Sequence, residues 1–234
     1  MILFLNLYLA HMLGDFVLQF DELYRLKTQK TIGHFYHVII LAIVSIALTL
    51  PYAASPFIWI FILVIYAIHF VQDKIKYRLQ DQGAPGFLCF TLDQIIHFLW
   101  LSLIFLFPLS KQPPPHSYPL FINLFYSDPV WVLGIIWFLW ASFGGAYFLH
   151  SLRKTYIKNS RPDHFITRME FLYGIFERSL TSAIFLLGRH PLIFFLSPAI
   201  SLVRLFQPKL KNRLDFFLNF VYSAALGLLF RLWI

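Results

Sequence analysis

Long apolar runs recur along this chain, separated by short polar segments, and each run is long enough to be a membrane-crossing helix. The pattern predicts spans near 2–19, 37–52, 57–73, 87–107, 130–150, 170–187, 192–206 and 214–232. A helix needs about 20 apolar residues to cross the hydrocarbon core, and it satisfies its own backbone groups there. Pro51 and Pro56 punctuate the turn between the second and third spans, and Pro113-Pro114-Pro115 marks a longer connection after the fourth. The expected architecture is an all-α, polytopic transmembrane bundle of about eight spans. It divides into a four-helix half (1–108), a Pro-rich external loop (109–129) and a second four-helix half (130–234).

Charge orients the bundle. One alternate set of loops carries Arg25, Lys27 and Lys30; Lys74, Lys76 and Arg78; Arg153, Lys154, Lys158, Arg161 and Arg168; and Arg204, Lys209, Lys211 and Arg213. The other set carries only Lys111, Arg189 and the terminal Arg231. Basic loops stay in the cytoplasm, so both termini are expected on the non-cytoplasmic side. The composition agrees with a membrane location: 59% hydrophobic, 20% aromatic and 13% charged. Soluble domains carry about 25% charged residues. The net charge of +8 does not point to nucleic acid, because the basic residues lie between apolar runs rather than on one surface. The single cysteine, Cys89, excludes an internal disulfide and a multi-cysteine metal site. The first run has no basic leader and contains His11 and Asp15, so it reads as a mature helix rather than a cleaved signal.

The polar residues inside the spans carry the candidate chemistry. His11, Asp15 and Gln19 stand at i, i+4 and i+8 on span one; His69 and Asp73 at i, i+4 on span three; Asp93 and His97 at i, i+4 on span four, beside Gln94. His37 opens span two, with His34 one turn earlier. Residues four apart share a helix face. The His-x-x-x-Asp pair at 11–15 recurs at 69–73, each time before a basic loop, as a faint internal repeat. All of these residues fall in the cytoplasmic halves of their spans. Ionisable groups in hydrocarbon are costly and generally face a bundle interior or a water-filled cavity. A shared site is therefore expected from His11, Asp15, His37, His69, Asp73, Asp93 and His97. Imidazole with carboxylate suits a divalent metal such as zinc, iron or manganese. A bound metal lowers the pKa of a water toward about 7, and Asp93 or Asp73 is then a candidate general base. Helix-bridging hydrogen bonds and an ion or proton path are the alternative uses of the same residues. Lys27, Lys30, Lys74, Lys76 and Arg78 flank the expected mouth, either as topology determinants or as an attraction for an anionic headgroup. In span six, Glu177 and Arg178 are adjacent and should find partners on neighbouring helices.

The segment Leu9-Ala10-His11-Met12-Leu13-Gly14-Asp15-Phe16-Val17-Leu18-Gln19 resembles the opening motif of a bacterial multi-pass family catalogued as domain of unknown function 3307. His69-x-x-x-Asp73, Asp93-Gln94-x-x-His97 and Gly174-x-x-Glu177-Arg178 are similar to that family's pattern in order. The resemblance implies a bacterial inner-membrane protein with these positions as its signature; it brings no established activity. By analogy with other polytopic His/Asp proteins, the expected function is a metal-dependent hydrolase acting on a lipid or lipid-linked substrate at the cytoplasmic leaflet, with membrane lipid as partner. A metal-ion or proton transporter and a non-enzymatic structural subunit remain the alternatives.

Overall fold

A short first helix, α1 (Ile2–Met12), is buried on nearly every side, from Leu3 and Leu7 to Ala10 and Met12. It does not run straight to residue 19, as the apolar run suggests. One π-helical turn, Leu13–Val17, follows, closed by Leu18 N–H donating to the Leu13 carbonyl at 2.8 Å. The chain then bends by 88° into α2 (Asp21–Gln29). The computed structural model describes residues 1–113, 120–156, 168–188, 197–200, 202 and 213–233. It is helical, with no strand among the described residues.

The chain divides into two units, Met1–Ile136 and Trp137–Ile234. In the first, α3 (Thr31–Leu48) packs against α1, α2 and α4 (Pro56–Asp81), while α5 (Gly86–Ser102) packs against α4 and α1. Pro56 pre-sets the first turn of α4. At the other end, Gly83 takes φ of 90° just past the helix, a left-handed conformation that glycine adopts without strain. With 26 residues, α4 is about 39 Å long, longer than the roughly 30 Å hydrocarbon core. Its last two turns, past Asp73, continue the helix where the apolar run has stopped.

Each outer helix hides polar side chains and exposes apolar ones. On α3 the buried stripe is Gly33, His34, His37, Leu41 and Ser45; on α4 it runs Ile58, Ile62, Ile65, Tyr66, His69 and Asp73; on α5 it is Asp93, Gln94, His97 and Leu101. Outward stand Ile43 (60% exposed), Leu63 (71%) and Leu99 (57%). A water-soluble fold inverts this arrangement; lipid is the solvent that suits it. Among the described residues, five helices are long and apolar enough to cross a membrane, or six if the bent α1–α2 pair counts as one span. The described helices differ from the expected spans in three places. Span two ends at Leu48 rather than residue 52. The Pro-rich connection contains a helix of its own, α6 (Leu120–Ser127). The helix at span six, Arg168–Leu187, is not among those apolar enough to cross. The seventh span, 192–206, lies largely outside the described residues.

In the second unit, a π-helical turn at Trp140–Gly144 follows α7 (Pro129–Leu139) and leads into α8 (Gly145–Tyr156). Beside these run α9 (Arg168–Leu187) and α10 (Arg213–Arg231), which pack against each other.

Candidate metal centre

Because the polar residues of α3, α4 and α5 continue the apolar stripes that pack these helices together, they arrive at one place. His11, Asp15, His37, His69, Asp73, Asp93 and His97 are all buried, none more than 9% exposed. Asp15, in the π turn, accepts a hydrogen bond from His37 Nε2 at 2.9 Å through Oδ1. Its other oxygen lies 3.5 Å from His11 Nε2 and accepts from Gln94 Nε2 at 3.3 Å. His69 Nε2 stands between the two repeated motifs, 3.8 Å from Asp15 Oδ1 and 3.6 Å from Asp73 Oδ2. His97 Nδ1 is 3.7 Å from Asp93 Oδ1.

Three imidazoles form the inner group. The rings of His69 and His97 stack with centroids 4.2 Å apart, and His11 lies 4.6 Å from His97 and 5.6 Å from His69. Each of the three offers a nitrogen within 4.8 Å of the others. Tetrahedral ligands about 2.1 Å from an ion sit about 3.4 Å apart, so small side-chain rotations bring these nitrogens onto one ion. His11 Nε2 and both ring nitrogens of His69 and of His97 are buried without a hydrogen-bond partner among the described residues. Two further ligand groups overlap the first: Asp15, His37 and His69, and Asp15, Asp93 and His97.

The lysines change the electrostatics expected from sequence. Lys27, carried in by α2 after the bend, places Nζ 2.7 Å from Asp73 Oδ2, both side chains almost wholly buried, and donates to Gln19 Oε1 at 2.8 Å. Lys76 Nζ lies 2.8 Å from Asp73 Oδ1 and 2.8 Å from Asp93 Oδ2. Gln72 Nε2 donates to Asp93 Oδ1 at 3.2 Å. Asp73 and Asp93, the two carboxylates that sequence reasoning favours as general base, are therefore each held by an ammonium. Asp15 has no lysine or arginine partner among the described residues. Three carboxylates against two ammoniums leave one negative charge before any imidazole is counted, so a metal is not needed to relieve repulsion among three bare carboxylates. Of the flanking basic residues, Lys27 and Lys76 are members of the cluster, whereas Lys30, Lys74 and Arg78 are exposed. His34, outside the expected ligand set, also reaches Asp73, with Nδ1 3.8 Å from Oδ2.

Residues 3–118 match a family model described as "Protein of unknown function (DUF3307)". The chain belongs to this family through its first half. The matched segment contains the entire His/Asp/Lys cluster, from His11 to His97, and the DUF3307 region is therefore the part of the chain that builds the site. Gly174-x-x-Glu177-Arg178 lies beyond the match. No curated protein and no solved structure gives a comparable match.

Glu177 and Arg178 belong to the second unit, and both are buried. A π turn releases carbonyls from the regular helical ladder, and Arg178 takes up two of them. Its Nε donates to the Ala141 carbonyl at 2.9 Å and its Nη2 to that of Ser142 at 2.7 Å, while Nη1 donates to Asn219 Oδ1 at 3.0 Å. Tyr222 donates to the Trp140 carbonyl at 2.8 Å. Gly145 and Gly174 leave the room that the guanidinium fills; a Cβ at Gly174 would lie 2.7 Å from Nη1. Arg178 thus joins α9 to the π turn at Trp140–Gly144 and to Asn219.

Proposed function

We propose that this chain is a metal-dependent hydrolase of a bacterial inner membrane, acting on a lipid or lipid-linked substrate from the cytoplasmic leaflet. The observation that carries the proposal is the trio His11, His69 and His97: buried, with ligand nitrogens within 4.8 Å of one another, and with His11 Nε2 and both ring nitrogens of His69 and His97 lacking a hydrogen-bond partner among the described residues. A buried polar atom left unpaired costs about 1–3 kcal/mol, and a divalent ion would turn several such costs into ligand bonds. Imidazole with carboxylate suits zinc, iron or manganese. Bound there, the ion would supply Lewis-acid polarisation of a substrate oxygen. Asp15, free of lysine and oriented by His37, is the carboxylate available as a further ligand or as a proton acceptor. Asp73 and Asp93 hold Lys76 and, through contacts with His69 and His97, orient the trio. The exposed Arg25 on α2, Lys30 before α3, and Lys74 and Arg78 on α4 support an anionic headgroup at the cytoplasmic leaflet.

The test is elemental analysis of detergent-purified protein, with melting curves before and after chelation. An ion that binds only the folded bundle stabilises it by about 2.7 kcal/mol at a hundredfold excess over Kd. Chelator should lower the Tm of the wild type, and one metal should restore it best. His69→Ala and Asp15→Asn should lose that response. Metal-free protein whose melting is indifferent to chelator would remove the proposal. A second reading, an ion or proton path, is favoured by the unbroken sequence of contacts from His97 through His69, Asp15 and His37 to Asp73. Flux in proteoliposomes without hydrolytic activity would establish it instead.

A further inference from the structure

The cluster already contains a cation in a ligand-like position. Lys76 Nζ lies 2.8 Å from one carboxylate oxygen of α4 and 2.8 Å from one of α5, so a single ammonium bridges Asp73 and Asp93. Two carboxylates from different helices converging on one point is how a binuclear hydrolytic centre grips an ion, the pair of ions standing about 3.5–4 Å apart. Asp93 also borders the inner group, with Oδ1 3.7 Å from His97 Nδ1. Its Oδ2 is joined to Asp15 Oδ2 through Gln94 Nε2, at 3.4 and 3.3 Å. Asp15, Asp93 and His97 present ligand atoms within 4.8 Å of one another. His97 is 3% exposed with both ring nitrogens unpartnered among the described residues. The acidic pair thus opens toward a buried, unsatisfied ligand and not merely toward other carboxylates.

We propose that Lys76 Nζ stands where a binuclear centre would hold its second ion, so that the centre takes one metal ion and one lysine. The assignment builds on the metal reading for the histidine trio but has its own observation, the bridging ammonium. It has a consequence for substrate class. An ammonium carries three donors; Asp73 and Asp93 take two, and the third has no acceptor among the described residues. With 17% of its side chain exposed, Lys76 is also more open than any His or Asp of the cluster. The third N–H is placed to meet an oxyanion, so the substrate this site fits carries an anionic oxygen beside the bond to be broken, as a phosphoryl or carboxyl headgroup does.

The test is metal stoichiometry of full-length protein in detergent, titrated with Zn²⁺ or Mn²⁺. Wild type should bind about one equivalent, and Lys76→Met, which keeps the stem and removes the ammonium, about two. Lys76→Arg, which keeps a cation, should stay at about one. Adding Asp93→Asn to Lys76→Met should abolish the extra equivalent. If Lys76→Met fails to fold alone, preparation in Zn²⁺ should recover it, because the ion replaces the missing charge; failure to recover would overturn the assignment. So would an unchanged stoichiometry in a folded Lys76→Met protein, or two equivalents in wild type. A wild type that binds no metal, beside a Lys76→Met variant that binds one through Asp93, would uphold the lysine assignment and remove the histidine-trio proposal. The two ideas therefore fail separately.

Discussion

Lys27→Met tests whether the cluster is sealed from water. The lysine and its partner Asp73 are 1% and 2% exposed at their side chains, with Nζ 2.7 Å from Oδ2. Removing one partner of a buried pair leaves a charge without compensation and costs about 3–5 kcal/mol. The lower end applies here, because Asp73 keeps Lys76 at 2.8 Å. Against that, Gln19 loses its donor, and the excess of carboxylates over ammoniums rises from one to two. The expected loss is about 3 kcal/mol, or ~6–12 °C in Tm at ~2–4 °C per kcal/mol for a chain of this size. Met preserves most of the stem's volume, so the effect isolates the charge. Asp73→Asn in the Lys27→Met background removes the stranded carboxylate and should recover part of the loss, giving a coupling energy of about 1–3 kcal/mol in a double-mutant cycle. The assay is thermal unfolding of the four proteins in one detergent. A Lys27→Met variant within about 0.5 kcal/mol of wild type, with no coupling, would mean that the pair behaves as a screened surface pair. The reasoning from burial would then be refuted.

Gly33→Ala should destabilise by about 1–3 kcal/mol. Its Cβ would lie 2.3 Å from the Lys27 backbone nitrogen and 2.6 Å from the Leu26 carbonyl oxygen, which forces α2 away from α3. Melting shifts in wild-type and Lys27→Met backgrounds should be less than additive, since both act through the same latch; full additivity would speak against it. Arg178→Met should cost about 3 kcal/mol or more, because carbonyls of Ala141 and Ser142 lose a charged donor, yet metal content should stay at the wild-type level. Loss of metal in that variant would show the guanidinium to be more than a fastener. For topology, a cysteine at Ser160 in a Cys89→Ser background should resist an impermeant reagent added to intact cells, as the basic loops dictate; labelling there would reverse the orientation.

Helix periodicity made the converging His and Asp positions of the long helices legible. His69 and Asp73 extend the stripe Ile58–Ile62–Ile65, and Asp93 and His97 lead to Leu101, so positions four apart on an apolar face announce which way they point. The break in the first helix left no such mark. Leu13–Val17 holds Gly14 and Asp15, but the His11, Asp15 and Gln19 spacing reads as one unbroken helix, and a π turn is a property of backbone phase rather than of composition. The polar segment after it, Asp21–Gln29, reads as a loop because its apolar positions are few, yet it forms a helix whose Leu23 and Lys27 are buried. Lys27 was therefore hidden among topology-setting lysines. Lys76 carried a usable signal, since it stands at i+3 from Asp73; the rule that basic residues mark cytoplasmic loops obscured it. The faint repeat also meets its limit here. Both His-x-x-x-Asp pairs feed one cluster, but the first is carried by a π turn before a right-angled bend and the second by an unbroken helix.

The pairing pattern also sets an order for membrane insertion during synthesis. On α4 the ions arrive together: Asp73 and Lys76 are three residues apart and neutralise each other as soon as that turn winds. Asp15 has no lysine within a turn; its neighbour there is His11, 3.5 Å away. Its closest partner, His37, emerges 22 residues later, and Gln94 emerges 79 residues later. Lys27 waits for an anion that is synthesised 46 residues after it. A nascent chain ending between α2 and Asp73 thus carries Lys27 without the carboxylate it pairs with. The charge pairing of the first helices is in that sense completed by the third long hydrophobic segment, which brings Asp73 to Lys27.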